Sequence, residues 1–281
     1  MLPLWCDELS VVLAPDQVVL VRFGWTLTWW GRIRRIEAKS VVDCVPAADG
    51  ELPWEAAIKA VENALPQLIA RKTVARITLS NHFVRYTLVP WSEALNSAAE
   101  EEAYARHCFK QLYGADAEQW DLRLSPNRAE QPLLTSAVDR RLLNGLRDIF
   151  GRNGISIKSI KPGLMAAYNN CRADLKDVNA WFALYESGCL CLALLQNGNW
   201  SSVRTIRVGD DWRDTLSQVL ERESYLTEHN VETNAVFLWA PELATAALSM
   251  SGRWQIHNLI PVVHPALVQE YEGRFAMAMS G

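Results

Sequence analysis

Residues 180–209 read AWFALYESGCLCLALLQNGNWSSVRTIRVG, which is the pattern of three consecutive strands. Ala180–Tyr185 is almost wholly apolar, Glu186-Ser187-Gly188 is a turn, and Cys189–Leu195 is a second apolar run. Gln196-Asn197-Gly198-Asn199 has the composition of a hairpin turn, because Asn and Gly tolerate positive φ. Trp200–Val208 then alternates like a half-buried strand. A strand, a Ser-Gly turn and a returning strand is the layout of a phosphate-gripping hairpin. Such a loop needs bare backbone N–H groups against the anion, hence several glycines, and an Asp to hold Mg²⁺. The tip here offers one glycine and a Glu.

The chain has 281 residues, 49% of them hydrophobic and 21% charged, so it can bury a large core and is not disordered. Its formal net charge of −4 argues against a nucleic-acid partner, which needs a basic footprint. No apolar run is long enough to span a membrane, and Met1–Cys6 lacks the basic start of a signal peptide. Six cysteines sit mostly inside apolar runs without the short Cys/His spacing of a metal site. They are expected to be reduced core residues, and no metal is expected. The twelve tryptophans show no fixed period; most should be core or rim anchors, with a few exposed ones serving a protein interface.

Working outward, strand-like runs cover Val11–Leu13 and Val18–Phe23 around the turn Ala14-Pro15-Asp16-Gln17, then Trp25–Trp30 and Ile36–Cys44. A helix over Trp54–Ala70 carries Ile58, Val61, Leu65, Leu68 and Ile69 on one stripe, with Pro66 expected to kink or break it. Strands at Val74–Leu79 and Phe83–Val89 follow. Ser97 opens an acid-rich helix that Gly114 stops, and strands lie at Trp120–Leu124 and Leu133–Ala137. Asp139 heads a strongly amphipathic helix with Leu142, Leu143, Leu146, Ile149 and Phe150. A strand at Ile155–Ile160, a turn at Lys161-Pro162-Gly163 and a helix over Leu164–Cys171 lead to the central hairpins. Beyond them come a helix capped by Asp210 or Asp211, a strand at Ala235–Trp239, a helix from Pro241 to about Met250, a strand at Trp254–Leu259 and a closing segment Pro265–Met279. Both halves therefore read β-β-β-α-β-α. The pattern predicts an α/β, actin-like (ribonuclease H-like) bilobed fold: a first lobe over 1–163 with an inserted subdomain at about 80–137, and a second lobe over 164–281.

Three passages resemble PilM-type pilus assembly proteins and the GspL-type cytoplasmic domains of type II secretion. They are the strand Val84–Val89 ending in Val89-Pro90-Trp91, the unit Glu100–Leu124, and the linking stretch from Thr135 through Pro162. The closing Phe275-Ala276-Met277-Ala278-Met279 is similar to the end of PilM-like chains, and MSHA-pilus proteins fit as well. The resemblance implies a non-catalytic scaffold in the cytoplasm, peripheral to a bacterial inner membrane. Its partner would be a PilN-like or GspM-like membrane protein, bound through a short cytoplasmic peptide. An assembly ATPase and a second copy of the chain are further partners the resemblance allows. In PilM-like proteins the peptide lies beside the inserted subdomain. Carried onto this chain, that surface is Arg85, Tyr86 and Trp91 with Tyr104 and Phe109, a core role for Trp91 and Phe109 being the alternative.

A nucleotide-binding ATPase or nucleotide sensor of the same fold is the competing reading. Active members of the superfamily need two Asp-Gly turns and a Gly-Gly pair. This chain has Ala14-Pro15-Asp16-Gln17, Glu186-Ser187-Gly188 and Leu238-Trp239-Ala240-Pro241-Glu242. A Cβ at those points collides with phosphate or base, and proline removes an N–H. No cofactor is expected; were ATP to bind, Asp16, Glu186, Ser187 and Gly188 would hold it. Two-metal nuclease chemistry needs clustered carboxylates, and the strands carry few acids. The five histidines sit in no nucleophile or metal motif.

Overall fold

The structure is a computed structural model describing residues 6–29, 31–45, 47, 50–69, 72–125, 130–227, 233–243 and 252–280. In chain order the strands and helices are β1 (Asp7–Leu13), β2 (Gln17–Thr28), β3 (Gly31–Asp43), α1 (Glu55–Leu68), β4 (Thr73–Leu79), β5 (Val84–Val89) and α2 (Ala98–Tyr113). There follow β6 (Trp120–Leu124), β7 (Leu133–Asp139), α3 (Arg140–Arg152), β8 (Ser156–Pro162), α4 (Gly163–Asn170), β9 (Ala180–Glu186) and β10 (Cys189–Gln196). The last are β11 (Asn199–Arg207), α5 (Trp212–Leu226), β12 (Ala235–Trp239), β13 (Gln255–Asn258) and α6 (Ala276–Met279).

The chain forms two compact units, 1–83 with 140–170 and 261–281, and 84–139 with 171–260. The first holds a five-stranded sheet in the order β3-β2-β1-β4-β8. Strands β1 to β3 form an antiparallel meander, while β4 and β8 join in parallel. The second unit holds a sheet built on the same plan, β11-β10-β9-β12-β13, again three antiparallel strands followed by two parallel ones. It also holds a three-stranded sheet, β5-β7-β6. The compact units differ from a linear boundary at residue 163. The closing segment returns to β2, where Leu267, Phe275, Ala278 and Met279 pack on Val19, Val21 and Phe23. The three-stranded sheet clusters with 171–260, where β5 runs beside β11.

The central hairpins form as the pattern requires. Every residue of β10 but Gln196 is buried, so both of its faces are covered, one of them by α5. On that face Trp181, Ala183, Leu190, Leu192 and Leu194 meet Trp212, Leu216 and Leu220. The β10–β11 turn has positive φ at both Asn197 (49°) and Gly198 (73°), the geometry that matches strand twist.

Local departures have local causes. Of the three or four strands expected at the start, the first meander has three, since β2 runs unbroken through Phe23 and Trp25 with a register shift between Arg22 and Phe23. Helix α1 is not broken at Pro66 and continues two residues beyond it, to Leu68. Residues 161–163 are not a separate turn: β8 extends to Pro162 and α4 starts at Gly163, and Pro is tolerated because β8 is an edge strand. The buried Asn81 side chain makes this junction by accepting a hydrogen bond from the Leu164 N–H at 3.1 Å. The expected helix from Pro241 to Met250 lies outside the described residues beyond residue 243.

Candidate functional site

The three-stranded sheet and α2 make a small layered body. Helix α2 starts where Ser97 Oγ accepts from the Glu100 N–H at 3.3 Å, while the Glu100 carboxylate accepts from the Asn96 N–H at 2.7 Å. These contacts satisfy donors that the first turn leaves open, and they place acids at its positive end. Ala105 and Phe109 on the inner face of α2 pack on Val89, Leu122, Leu133 and Ala137. Phe109 stacks on Tyr113 with ring centroids 5.8 Å apart and meets Trp120 edge-on at 6.3 Å.

This packing sorts the five expected partner residues. Arg85 is exposed near the start of β5, opposite Ala137. Trp91 lies just past the strand and is 38% exposed. Tyr104 is half-buried against the core. Tyr86 alternates inward from Arg85 and is buried, and Phe109 is fully buried. Neither of those two rings can anchor a partner from the core, so they support the surface from behind. The reason is the strand period of two for Tyr86 and the helix stripe for Phe109.

The structure adds residues that sequence reasoning missed. Beside β5 runs β11, with Arg204 and Arg207 exposed, and the end of α2 exposes Leu112 and Tyr113. Burial pushes the Tyr113 phenol above its ordinary pKa, and the nearby Arg85 and Arg204 cations oppose that rise. Burial, then Glu186, pushes the Cys189 thiol up to about 12, with Arg85 and Arg207 acting against it. Arg85 is thus felt on both sides of the β5–β11 seam. Arg204 also lies 4.0 Å from Glu223, a buried carboxylate whose other oxygen pairs with Arg222 at 2.9 Å. Arg204 shares its strand face with Ile206 and Val208 and lies opposite Leu192, so the alternation of β11 does not mark it as outward, and nothing in the sequence places it near Arg85.

The two hairpin turns that would hold a nucleotide differ in their backbone. In the first, Ala14 donates its N–H to Gln17 O at 3.0 Å, and Pro15 has none to give. No residue from Ala14 to Gln17 has positive φ, and Asp16 is half-buried with its carbonyl accepting from the Cys44 N–H at 2.7 Å. In the second, Glu186 is half-buried, Ser187 and Gly188 are exposed, and Gly188 has φ 72°. At the third position Leu238 and Trp239 are buried in the strand they end. At the first position neither Pro15 nor Ala14 offers an N–H to an anion, and at the third the side chains of Leu238 and Trp239 are buried where a glycine pair would leave the backbone bare. Among the described residues no group of three or more His, Cys, Asp or Glu is placed to hold a metal. The thiols of Cys171 and Cys189 are pushed up to about 12, and that of Cys191 higher still, by burial first, so these are inert core groups.

No family model matches the sequence, and no curated protein matches it. Solved structures do. A chain of a PilM–PilN type IV pilus biogenesis complex superposes with a TM-score of 0.65 at 16% identity, covering 97% of this chain and 96% of that one. The cytoplasmic domain of EpsL, an inner-membrane component of the type II secretion system of Vibrio cholerae, gives 0.56 at 14% identity, covering 90% of each chain. A Bacteroides thetaiotaomicron protein with an actin-like ATPase fold and unknown function gives 0.54 at 10% identity, covering 83% and 82%. The chain therefore has the α/β actin-like fold, as its strand pattern predicted.

Proposed function

We propose that this protein is a non-catalytic, actin-like component of a type IV pilus or type II secretion assembly platform. It works in the cytoplasm at the inner membrane, as a scaffold that binds a short cytoplasmic segment of a PilN-like or GspM-like membrane protein. The observation that carries this reading is an intact actin-like frame whose first hairpin turn has its backbone donors missing or already used, at Pro15 and Ala14. The likeness to a chain of a PilM–PilN complex over nearly the whole length supports the assembly role. Among the described residues no helix is long and apolar enough to cross a membrane. Contact with the membrane protein would then come through a surface, and Arg85, Trp91, Tyr113 and Arg204 supply the aromatic and guanidinium groups that anchor interfaces.

The test is a pull-down from detergent-solubilised membranes followed by titration with the partner's cytoplasmic peptide. Arg85→Glu and Trp91→Ala should each weaken binding at least about tenfold while leaving the melting temperature unchanged. Normal binding by both variants would remove this surface from consideration.

The nucleotide-sensor reading rests on one favourable feature, the positive φ of Gly188 at a turn that also carries Glu186. Melting with and without millimolar ATP and Mg²⁺ separates the two. A ligand at one hundred times its Kd adds about 2.7 kcal/mol. The scaffold predicts no shift, and a shift of several degrees that Glu186→Gln abolishes would establish the sensor.

A further inference from the structure

We propose that the end of the β2–β3 hairpin is a membrane-surface anchor that seats its aromatic rings among anionic phospholipid headgroups. Among the described residues, β1 pairs with β2 only as far as Phe23, whereas β2 and β3 stay paired to Thr28 and Gly31. Residues 24–29 and 31–36 therefore extend as a two-stranded ribbon. The sequence of 24–36, GWTLTWWGRIRRI, contains three tryptophans, three arginines and no acid, in a chain whose net charge is −4. At the ribbon's base Phe23 is fully buried with Leu267 and Phe275. Toward its end Trp25 is 41% exposed, Ile33 40% and Trp29 97%.

The register decides what such an end fits. Trp25 lies opposite Arg34 and Ile33 opposite Thr26, so the two exposed apolar residues occupy opposite faces of the ribbon. A protein pocket usually engages one face. A ribbon apolar on both faces, with a tryptophan at its turn, suits the headgroup layer, which surrounds what enters it. Tryptophan favours that layer because its ring is apolar and its N–H can be hydrated. Arg34 is committed to the base: it pairs with Glu8 at 2.6 Å and lies 3.9 Å above the Phe23 ring. Arg35 is exposed and bonded to Glu37 at 2.8 Å. An exposed pair of that kind is weak, so a lipid phosphate can take the guanidinium over.

The experiment is sedimentation of the full chain with phosphatidylglycerol–phosphatidylcholine vesicles against phosphatidylcholine alone, at low and high salt. The wild type should bind the anionic vesicles, less so at high salt. Trp29→Ser should lower the partition coefficient about tenfold, and Arg35→Gln about fivefold. Both positions are exposed, so an unchanged melting temperature should accompany the loss. Headgroup-brominated lipid should quench wild-type tryptophan fluorescence more than that of Trp29→Phe. Failure of the wild type to bind anionic vesicles would overturn the anchor, as would wild-type binding by a chain carrying both Trp29→Ser and Arg35→Gln. So would loss of a soluble protein partner on Trp29→Ser when the wild type ignores lipid. The anchor stands on the hairpin alone, so its failure leaves the peptide-binding result above unaffected.

Discussion

Trp181→Ala is expected to destabilise the protein by about 3–5 kcal/mol in chemical denaturation. Trp181 is 1% exposed on β9, an inner strand flanked by β10 and β12, opposite Leu194 and Val236. Its ring shares a core with Leu192, Trp212, Leu216, Leu220 and Trp254. Truncation leaves a hole between a sheet and a helix, neither of which can close it without breaking strand register. Among the described residues its buried indole Nε1 meets no hydrogen-bond partner, and the same holds for Trp254. Trp181→Phe therefore removes an unsatisfied donor along with some volume, and should cost no more than about 1–2 kcal/mol. A loss for Trp181→Ala no larger than for Trp181→Phe would show that volume at this site does not hold the sheet to α5.

The second large effect is expected at the β10–β11 turn. Gly198 has φ 73°, and a Cβ there would lie 2.7 Å from the Asp177 backbone nitrogen and 3.3 Å from its Cα. The obstruction is backbone and cannot swing aside. Gly198 also donates its N–H to Val178 O at 3.0 Å, and the Asn197 N–H bonds to Asn179 Oδ1 at 2.7 Å. The turn is thus pinned to the segment leading into β9. Gly198→Ala should cost about 2–4 kcal/mol, combining left-handed strain with the collision. Asn197→Gly keeps the geometry and the N–H bond, and should stay within about 1 kcal/mol. Equal effects of the two substitutions would mean that the turn, and not the contact with Asp177, sets the cost.

Much of the fold was legible in the residues. The strands β6 and β12 and the Ser97 start of α2 stand where the pattern put them, because each depends on neighbours along the chain. Asp211 stands at the N-cap of α5 as expected, yet its side chain makes no capping bond there. The exposure of the expected partner residues was legible in part. Alternation alone marks Arg85 as outward and Tyr86 as inward, and the stripe Ala105–Phe109 marks Phe109 as inward. Proximity of Arg85 to Arg204 and Tyr113 was not legible, since it arises from two sheets' edge strands meeting.

The sequence by itself determined most of the described elements, the Asn197-Gly198 turn and the repeated β-β-β-α-β order, because hydrophobic period and φ preference act over a few residues. It also determined that the first hairpin tip lacks glycine. Only the tertiary structure decided that the closing segment packs on β2, that 84–139 clusters with 171–260, and that the β2–β3 ribbon ends in exposed Trp29. Burial is a property of what distant parts of the chain bring to a residue, and no local pattern records who arrives.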